Sequence, residues 1–154
     1  MTQDKQHHYA ELAKQAASLI SGESDHIANM ANLSALLYWG LNDVNWAGFY
    51  LLKEQELVLG PFHGKPACIR IPVGKGVCGT AVSQNRAQLV YDVHEFDGHI
   101  ACDAASNSEV VLPVYVNGKI FAVLDIDSPS VGRFEQADLD GLQQIVNSLE
   151  ASLA

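Results

Sequence analysis

Three cysteines and a small set of carboxylates are the side chains of this 154-residue sequence whose types and spacing suit covalent chemistry. Cys102 lies within residues 92–110, a stretch that also holds His94, His99 and five acidic residues. Neither a period of 2 nor one of 3.6 runs through it, so neither strand nor helix accounts for it. Loops of that length inside a compact domain usually carry function. The stretch is read as a functional loop laid across a sheet, with Cys102 as its reactive atom; the alternative is a solvated loop with a half-buried cysteine. The other cysteines, Cys68 and Cys78, form no C-x-x-C with it, which leaves a thioredoxin-type motif and a zinc ribbon unsupported. A zinc site from the three cysteines and one of His63, His94 or His99 is chemically possible, but its spacing matches no standard pattern. Taken singly, Cys68 and Cys78 read as core residues.

The carboxylates stand at the end of the chain's last apolar run. By the period of two, Phe121, Val123, Asp125 and Asp127 share one strand face, and Ala122, Leu124 and Ile126 share the other. Burial and mutual repulsion of the two aspartates would raise at least one pKa. The competing reading has the strand leave the sheet, with both aspartates capping the Ser128-Pro129 turn. Glu109 opens the partner strand. A regular two-residue hairpin at Asn117-Gly118 pairs Val110 with Asp125 and leaves Glu109 on the opposite face. One extra residue near Pro113 would flip it onto the aspartate face, since proline inside a strand often marks a bulge. Joint action of the three acids therefore requires an irregularity near Pro113.

Periodicity supplies the elements that position these groups. Residues 3–42 read as two helices. The first, 3–20, carries Tyr9, Leu12, Ala16, Leu19 and Ile20 on one face and breaks at Ser21-Gly22. The second starts at a Ser24 N-cap and has Ile27, Met30, Ala31, Leu33, Leu37, Tyr38 and Leu41 at helical spacing. The Ala-rich first helix suits a partner chain as well as this one. Residues 44–127 read as a sheet and its loops. Val44–Lys53 and Glu56–Phe62 are strands around a Glu54-Gln55 turn, with Trp46, Gly48, Tyr50 and Leu52 on one face and Ala47, Phe49 and Leu51 on the other. Ala67–Pro72 is a third strand, carrying Cys68. Gly74, Gly76 and Gly79 introduce a short helix to about Asn85. They match neither the Walker pattern nor G-x-G-x-x-G with its downstream acid, and read as tight-turn glycines. Gln88–Tyr91, Val110–Val116 and Lys119–Asp127 are further strands, the last two joined by the Asn-Gly hairpin signal. Residues 135–154 form a closing helix with Leu139, Leu142, Ile145, Val146, Leu149 and Leu153 on one stripe. The expected fold is α+β, one domain over 1–154: a central antiparallel sheet, N- and C-terminal helices on one face and a loop-covered ligand pocket on the other.

A formal net charge of −9 without a Lys/Arg cluster disfavours nucleic acid and anionic membranes as partners. No apolar run approaches the ~20 residues of a membrane span, and the N-terminus lacks the apolar core of a signal peptide. The expected compartment is the cytoplasm, where a disulfide would be transient and redox-active.

The stretches Asn45-Trp-Ala-Gly-Phe-Tyr50, Leu59-Gly-Pro-Phe62, Gly76-Val-Cys-Gly-Thr80, Asp97-Gly-His-Ile-Ala-Cys-Asp-Ala-Ala-Ser-Asn-Ser-Glu109 and Val123-Leu-Asp-Ile-Asp-Ser128 resemble the free methionine-(R)-sulfoxide reductases, a family of GAF-domain proteins. The resemblance covers nearly the whole chain, and no site position departs from the family pattern. It implies that Cys102 is the nucleophile, that Cys68 resolves it by closing a disulfide, and that Cys78 is an auxiliary thiol. It further implies that Trp46 and Tyr50 wall the substrate methyl group, and that Glu109, Asp125 and Asp127 bind and polarise the sulfoxide and hold the amino-acid end. Thioredoxin would be the reductant, the role a defence against oxidative stress, and no metal or organic cofactor would be needed. A homodimer through the terminal helices is the expected assembly. The alternative within the fold is a non-catalytic GAF sensor that binds a small ligand, although a sensor has no use for a nucleophile with a resolving partner.

Overall fold

A computed structural model describes residues 2–98 and 105–154. Cys102, His99 and Asp103 lie outside the described residues. The elements run α1 (Thr2–Ile20), α2 (His26–Gly40), β1 (Trp46–Lys53), β2 (Glu56–Gly64), β3 (Arg70–Pro72), α3 (Gly76–Gln84), β4 (Gln88–Val90), a 3-10 turn at Val93–Glu95, β5 (Ser108–Val116), β6 (Lys119–Ser128) and α4 (Gln136–Leu153). The six strands form one sheet in the order β3-β2-β1-β6-β5-β4, and every described pairing is antiparallel. The GAF-like α+β architecture expected from the sequence is the one observed.

Two apolar layers sandwich the sheet. Tyr9, Leu12, Ala16, Met30, Leu33, Leu37, Leu142, Ile145 and Leu149 of the terminal helices pack against Ala47, Phe49, Leu112, Leu124 and Ile126 on one face. On the other, Trp46, Tyr50, Val111 and Val123 meet Val77, Cys78 and Ala81 of α3. The β1 alternation is as expected. Leu19 and Ile27, by contrast, are exposed at 45% and 47%, so the buried stripes of α1 and α2 are narrower than a single helix face suggests. Ala31 is exposed too, while Asn29 and Ser34 are buried polar residues of α2. The N-cap of α2 is Asp25 and not Ser24: its Oδ1 accepts from Ala28 N at 3.0 Å.

The β5–β6 hairpin turns at Asn117 and Gly118, both at positive φ, which the twist of a tight hairpin demands. Its register then slips. Tyr115 pairs with Ile120 but Val114 pairs with Ala122, so Phe121 is an extra residue in β6. The expected irregularity is present one residue from Pro113, on the opposite strand. It corrects one face assignment: Phe121 packs with the helix-side core, edge-on to the His26 ring, and does not share the face of Val123 and Asp125. A second slip lies between Gly48 and Tyr50 of β1, opposite Gly60 and Pro61 of β2, where proline does mark the bulge.

One buried ion, Asp138, ties the helical layer together. Tyr9 Oη donates to Oδ1 at 2.7 Å and Arg133 Nη1 at 3.1 Å, while Lys5 Nζ donates to Oδ2 at 2.9 Å and Glu135 N at 2.8 Å. Burial works against its charge, but these four donors outweigh it and hold the carboxyl below the ordinary aspartate range. A group of lowered pKa contributes stability above its unfolded pKa and loses it as pH falls through the folded one. Asp138→Asn should therefore cost about 2–3 kcal/mol at neutral pH, allowing for the partial exposure of Lys5. In urea titrations the gap to wild type should close as pH is lowered through the carboxylate range; a gap independent of pH would contradict this account.

Candidate active site

The site grows from the register of the central strands. Opposed residues in an antiparallel pair share a face with Cβ atoms about 5 Å apart. Trp46 pairs with Asp127, and Asp127 with Glu109; Gly48 pairs with Asp125, and Asp125 with Val111. The slip at Phe121 is what sets Glu109 opposite Asp127. The three acids expected to act together are thus brought onto one face, with Trp46 and Tyr50 beside them. Both aspartates lie within β6, and in the turn that follows the Ser128 hydroxyl accepts from Ser130 N at 3.1 Å.

The α3 helix closes over these acids from above the sheet. Cys78 projects from it, 3% exposed, with Sγ 4.0 Å from Glu109 Oε2. Glu109 and Asp125 are 8% and 5% exposed. Burial first, and then the charges of Asp125 and Asp127, push the Glu109 carboxyl well above its ordinary range. Burial raises Asp125 as well, but hydrogen bonds involving Glu109, Cys78 and Asp127 pull it partly back. Burial thus favours the protonated form in this cluster, most strongly at Glu109. Burial, aided by Asp125 and Glu109, also pushes the Cys78 thiol up, so it is a poor source of thiolate. Among the described residues the ion pairs lie elsewhere, and no lysine or arginine pairs with Glu109 or Asp125. Asp125 Oδ1 is buried without a hydrogen-bond partner among the described residues.

The aromatic wall is built on a missing side chain. A Cβ on Gly48 would stand 2.3 Å from Phe62 Cβ and 2.9 Å from the Trp46 ring, so glycine there lets the rings close. The Trp46 indole stacks on Phe62 with centroids 5.1 Å apart and on Tyr50 at 5.9 Å. Both wall residues reach the segment that carries Cys68: Trp46 Nε1 donates to Lys65 O at 3.0 Å, and Tyr50 Oη to Cys68 O at 2.9 Å. Cys68 is half-buried in the irregular segment before β3. The expected third strand starts only at Arg70 and does not include it. Cys68 is disulfide-bonded and Cys78 is a free thiol.

The zinc alternative is not assembled by the described members. His63 packs between Tyr38 and Trp39, opposite Ala47 on the helical side of the sheet. His94 bonds to Asn107 Oδ1 at 2.9 Å. Asn107 is a residue the sequence reading missed. Its backbone links to Val93 and Ser128 and its Nδ2 donates to Pro129 O at 2.7 Å, so it pins the end of the long loop beside the acids. Only the Asx tendency of asparagine to bond nearby backbone could have flagged it.

Glu109 and Asp125 carry a testable consequence. A carboxyl of raised folded pKa contributes stability fully present below its unfolded pKa and lost as pH rises through the folded one. Wild-type thermal stability should therefore decline above the ordinary carboxylate range more steeply than that of Glu109→Gln, whose amide does not titrate. Parallel melting-temperature profiles for the two proteins would remove the buried proton from this description.

A GAF domain family model matches residues 31–154. The chain is 59% identical to a free methionine-R-sulfoxide reductase of Escherichia coli, over 98% of this chain and 92% of that protein. It superposes on the fRMsr of Staphylococcus aureus in its reduced form with a TM-score of 0.93, at 57% identity and 95% coverage of each chain. For the same protein in complex with substrate the TM-score is 0.91, at 56% identity and the same coverage. With the acids, aromatic wall and cysteine segment arranged as above, the chain belongs to the GAF-domain family, among its free methionine-R-sulfoxide reductases.

Proposed function

We propose that this protein reduces free L-methionine-(R)-sulfoxide to L-methionine, with thiols as the electron source. The observation that carries this reading is the cluster of Glu109, Asp125 and Asp127 on one sheet face against the Trp46–Tyr50 wall, where burial favours the protonated form of Glu109. A sulfoxide sulfur becomes electrophilic when its oxygen is protonated, and a carboxylic acid kept neutral by its surroundings can supply that proton at pH 7. The Cys102 thiolate attacks the protonated sulfoxide sulfur to form an S–S bond; the hydroxyl oxygen then passes to the Cys102 sulfur as the S–O and S–S bonds break, which releases methionine and leaves Cys102 as a sulfenic acid. The Cys68 thiol condenses with it, releasing water and forming a disulfide. The disulfide state of Cys68, with Cys78 buried as a free thiol, supports Cys68 as the resolving residue. An external dithiol, thioredoxin, then reduces the bond by exchange.

Preference for the free amino acid follows from charge. A buried carboxylate group without a described cationic partner suits an ammonium ion, which a peptide or N-acetylated substrate lacks. Leaving such carboxylates uncompensated costs roughly 3–5 kcal/mol. The aromatic wall fixes the methyl group and the acid fixes the oxygen, so one sulfur configuration faces the nucleophile. No helix of the described residues is long and apolar enough to cross a membrane, in keeping with action in the cytoplasm. Leu19 and Ile27, exposed on α1 and α2, suit a homodimer through the terminal helices.

The test is turnover of racemic free methionine sulfoxide with dithiothreitol or thioredoxin, followed by chiral chromatography. The R epimer should convert to methionine while the S epimer remains, and N-acetyl-methionine sulfoxide should react poorly. Cys102→Ser should abolish turnover. Cys68→Ser should retain one stoichiometric round and recycle less well with thioredoxin than with dithiothreitol. Glu109→Gln should slow the chemical step about 10²–10⁴-fold. Full thioredoxin-dependent turnover in Cys102→Ser would sink the mechanism, and equal use of the N-acetylated substrate would sink the account of selectivity.

A further inference from the structure

We propose that the site also binds a soft divalent cation, zinc or cadmium, through Cys78, Glu109 and Asp125, and that this ion excludes the substrate. One sulfur and two carboxylate oxygens of these residues lie within 4.8 Å of one another, all on buried side chains. They come from three separate elements, α3, β5 and β6, and so surround a point instead of lining a surface. Tetrahedral zinc with bonds of about 2.3 Å to sulfur and about 2.1 Å to oxygen sets its ligand atoms roughly 3.5 Å apart. The 4.0 Å between Cys78 Sγ and Glu109 Oε2 needs to contract by only a few tenths of an ångström. Asp125 Oδ1, buried and without a hydrogen-bond partner among the described residues, supplies a lone pair ready for a ligand.

Charge points the same way. No described lysine or arginine pairs with Glu109 or Asp125, so a divalent ion would compensate what the protein leaves uncompensated. The donor set of one thiolate and two carboxylates selects zinc and cadmium over magnesium, which prefers six oxygens. On binding, Cys78 gives up its thiol proton and Glu109 its carboxyl proton, both released to solvent, and the fourth position is left to water. An ion held this way occupies the carboxylates that the proposed function assigns to the substrate, so the two bind exclusively. The cation site itself rests on the geometry, and only the exclusion rests on that function.

The test uses cadmium ion alone, added to the whole protein with its disulfide closed. One cadmium per chain should bind, with the ultraviolet sulfur-to-cadmium charge-transfer band of a single thiolate. Cys78→Ser should lose the band. Asp125→Asn and Glu109→Gln should keep it at saturation but bind at least about tenfold more weakly, since even outer partners of metal ligands cost that much. Circular dichroism of each variant, matched to wild type, establishes that the fold survives. A band persisting in Cys78→Ser, or an affinity unmoved in both carboxylate variants, overturns the site. Turnover measured without metal reports separately on the reductase reading.

Discussion

One extra residue decides the chemistry of this sheet. Without the slip at Phe121, Glu109 would fall on the helical face of β5, inside a layer of leucine, isoleucine and valine, where a carboxyl has no partner. With it, every residue of β5 from Val114 back to Ser108 is exchanged between faces relative to β6. Val111 joins the layer of Trp46 and Tyr50, Val110 and Leu112 join the helical core, and Glu109 meets Asp127. Phe121 itself absorbs the exchange by packing beside Ala122 on the helical side. The apolar alternation of β5 and the position of its one acid are compatible with the same core only in this register.

Gathering three carboxyls under α3 creates the electrostatic constraint that follows. Burial raises Glu109 and Asp125, and the charges of Asp125 and Asp127 raise Glu109 further, so the cluster favours a protonated carboxyl. The surrounding packing sustains this state. Val77, Ala81, Val111 and Val123 bring no charge to the layer, and the stacked Trp46, Tyr50 and Phe62 rings close it on the β1–β2 side. Gly48 belongs to the same device, since any side chain there would part Phe62 from Trp46 and open the wall next to Asp125.

Much of this was legible in the sequence, and the parts that were not share a cause. Period-two patterning placed Trp46, Tyr50, Asp125 and Asp127 on the correct faces, because every slip in their strands leaves those positions in step. It misplaced Phe121, since alternation counts residues and a bulge adds one without changing composition. Glu109 was reachable only conditionally, through proline at 113 as a warning of irregularity; the equivalent warning at Pro61 passed unread. Cys68 was drawn into a strand because Ala-Cys-Ile-Arg-Ile-Pro is rich in β-formers, yet β3 pairs with β2 only over three residues. The tethers from Trp46 and Tyr50 to Lys65 and Cys68, and the four donors to Asp138, were invisible for a simpler reason. They join residues far apart in the chain, and local pattern carries no record of side-chain hydrogen bonds across the fold.

The same low-dielectric layer explains why the thiol chemistry of the proposed reaction is divided among separate segments. The burial that favours the protonated form of Glu109 favours that of Cys78 as well, for the same physical reason. Of the described cysteines, Cys78, the one beside Glu109, is thereby poorly suited to attack or resolve. Nucleophile and resolving thiol are better drawn from segments that leave this layer. Cys68 stands at the edge of the layer: it packs against it but is half-buried beside the exposed Ile69, outside any strand, and its carbonyl is held to the wall by the Tyr50 hydroxyl. Its disulfide state beside a buried, reduced Cys78 is the arrangement this division favours. The acid cluster and the Cys68 segment thus adjoin but differ in burial, and the Trp46 and Tyr50 side chains touch both the cluster's layer and that segment.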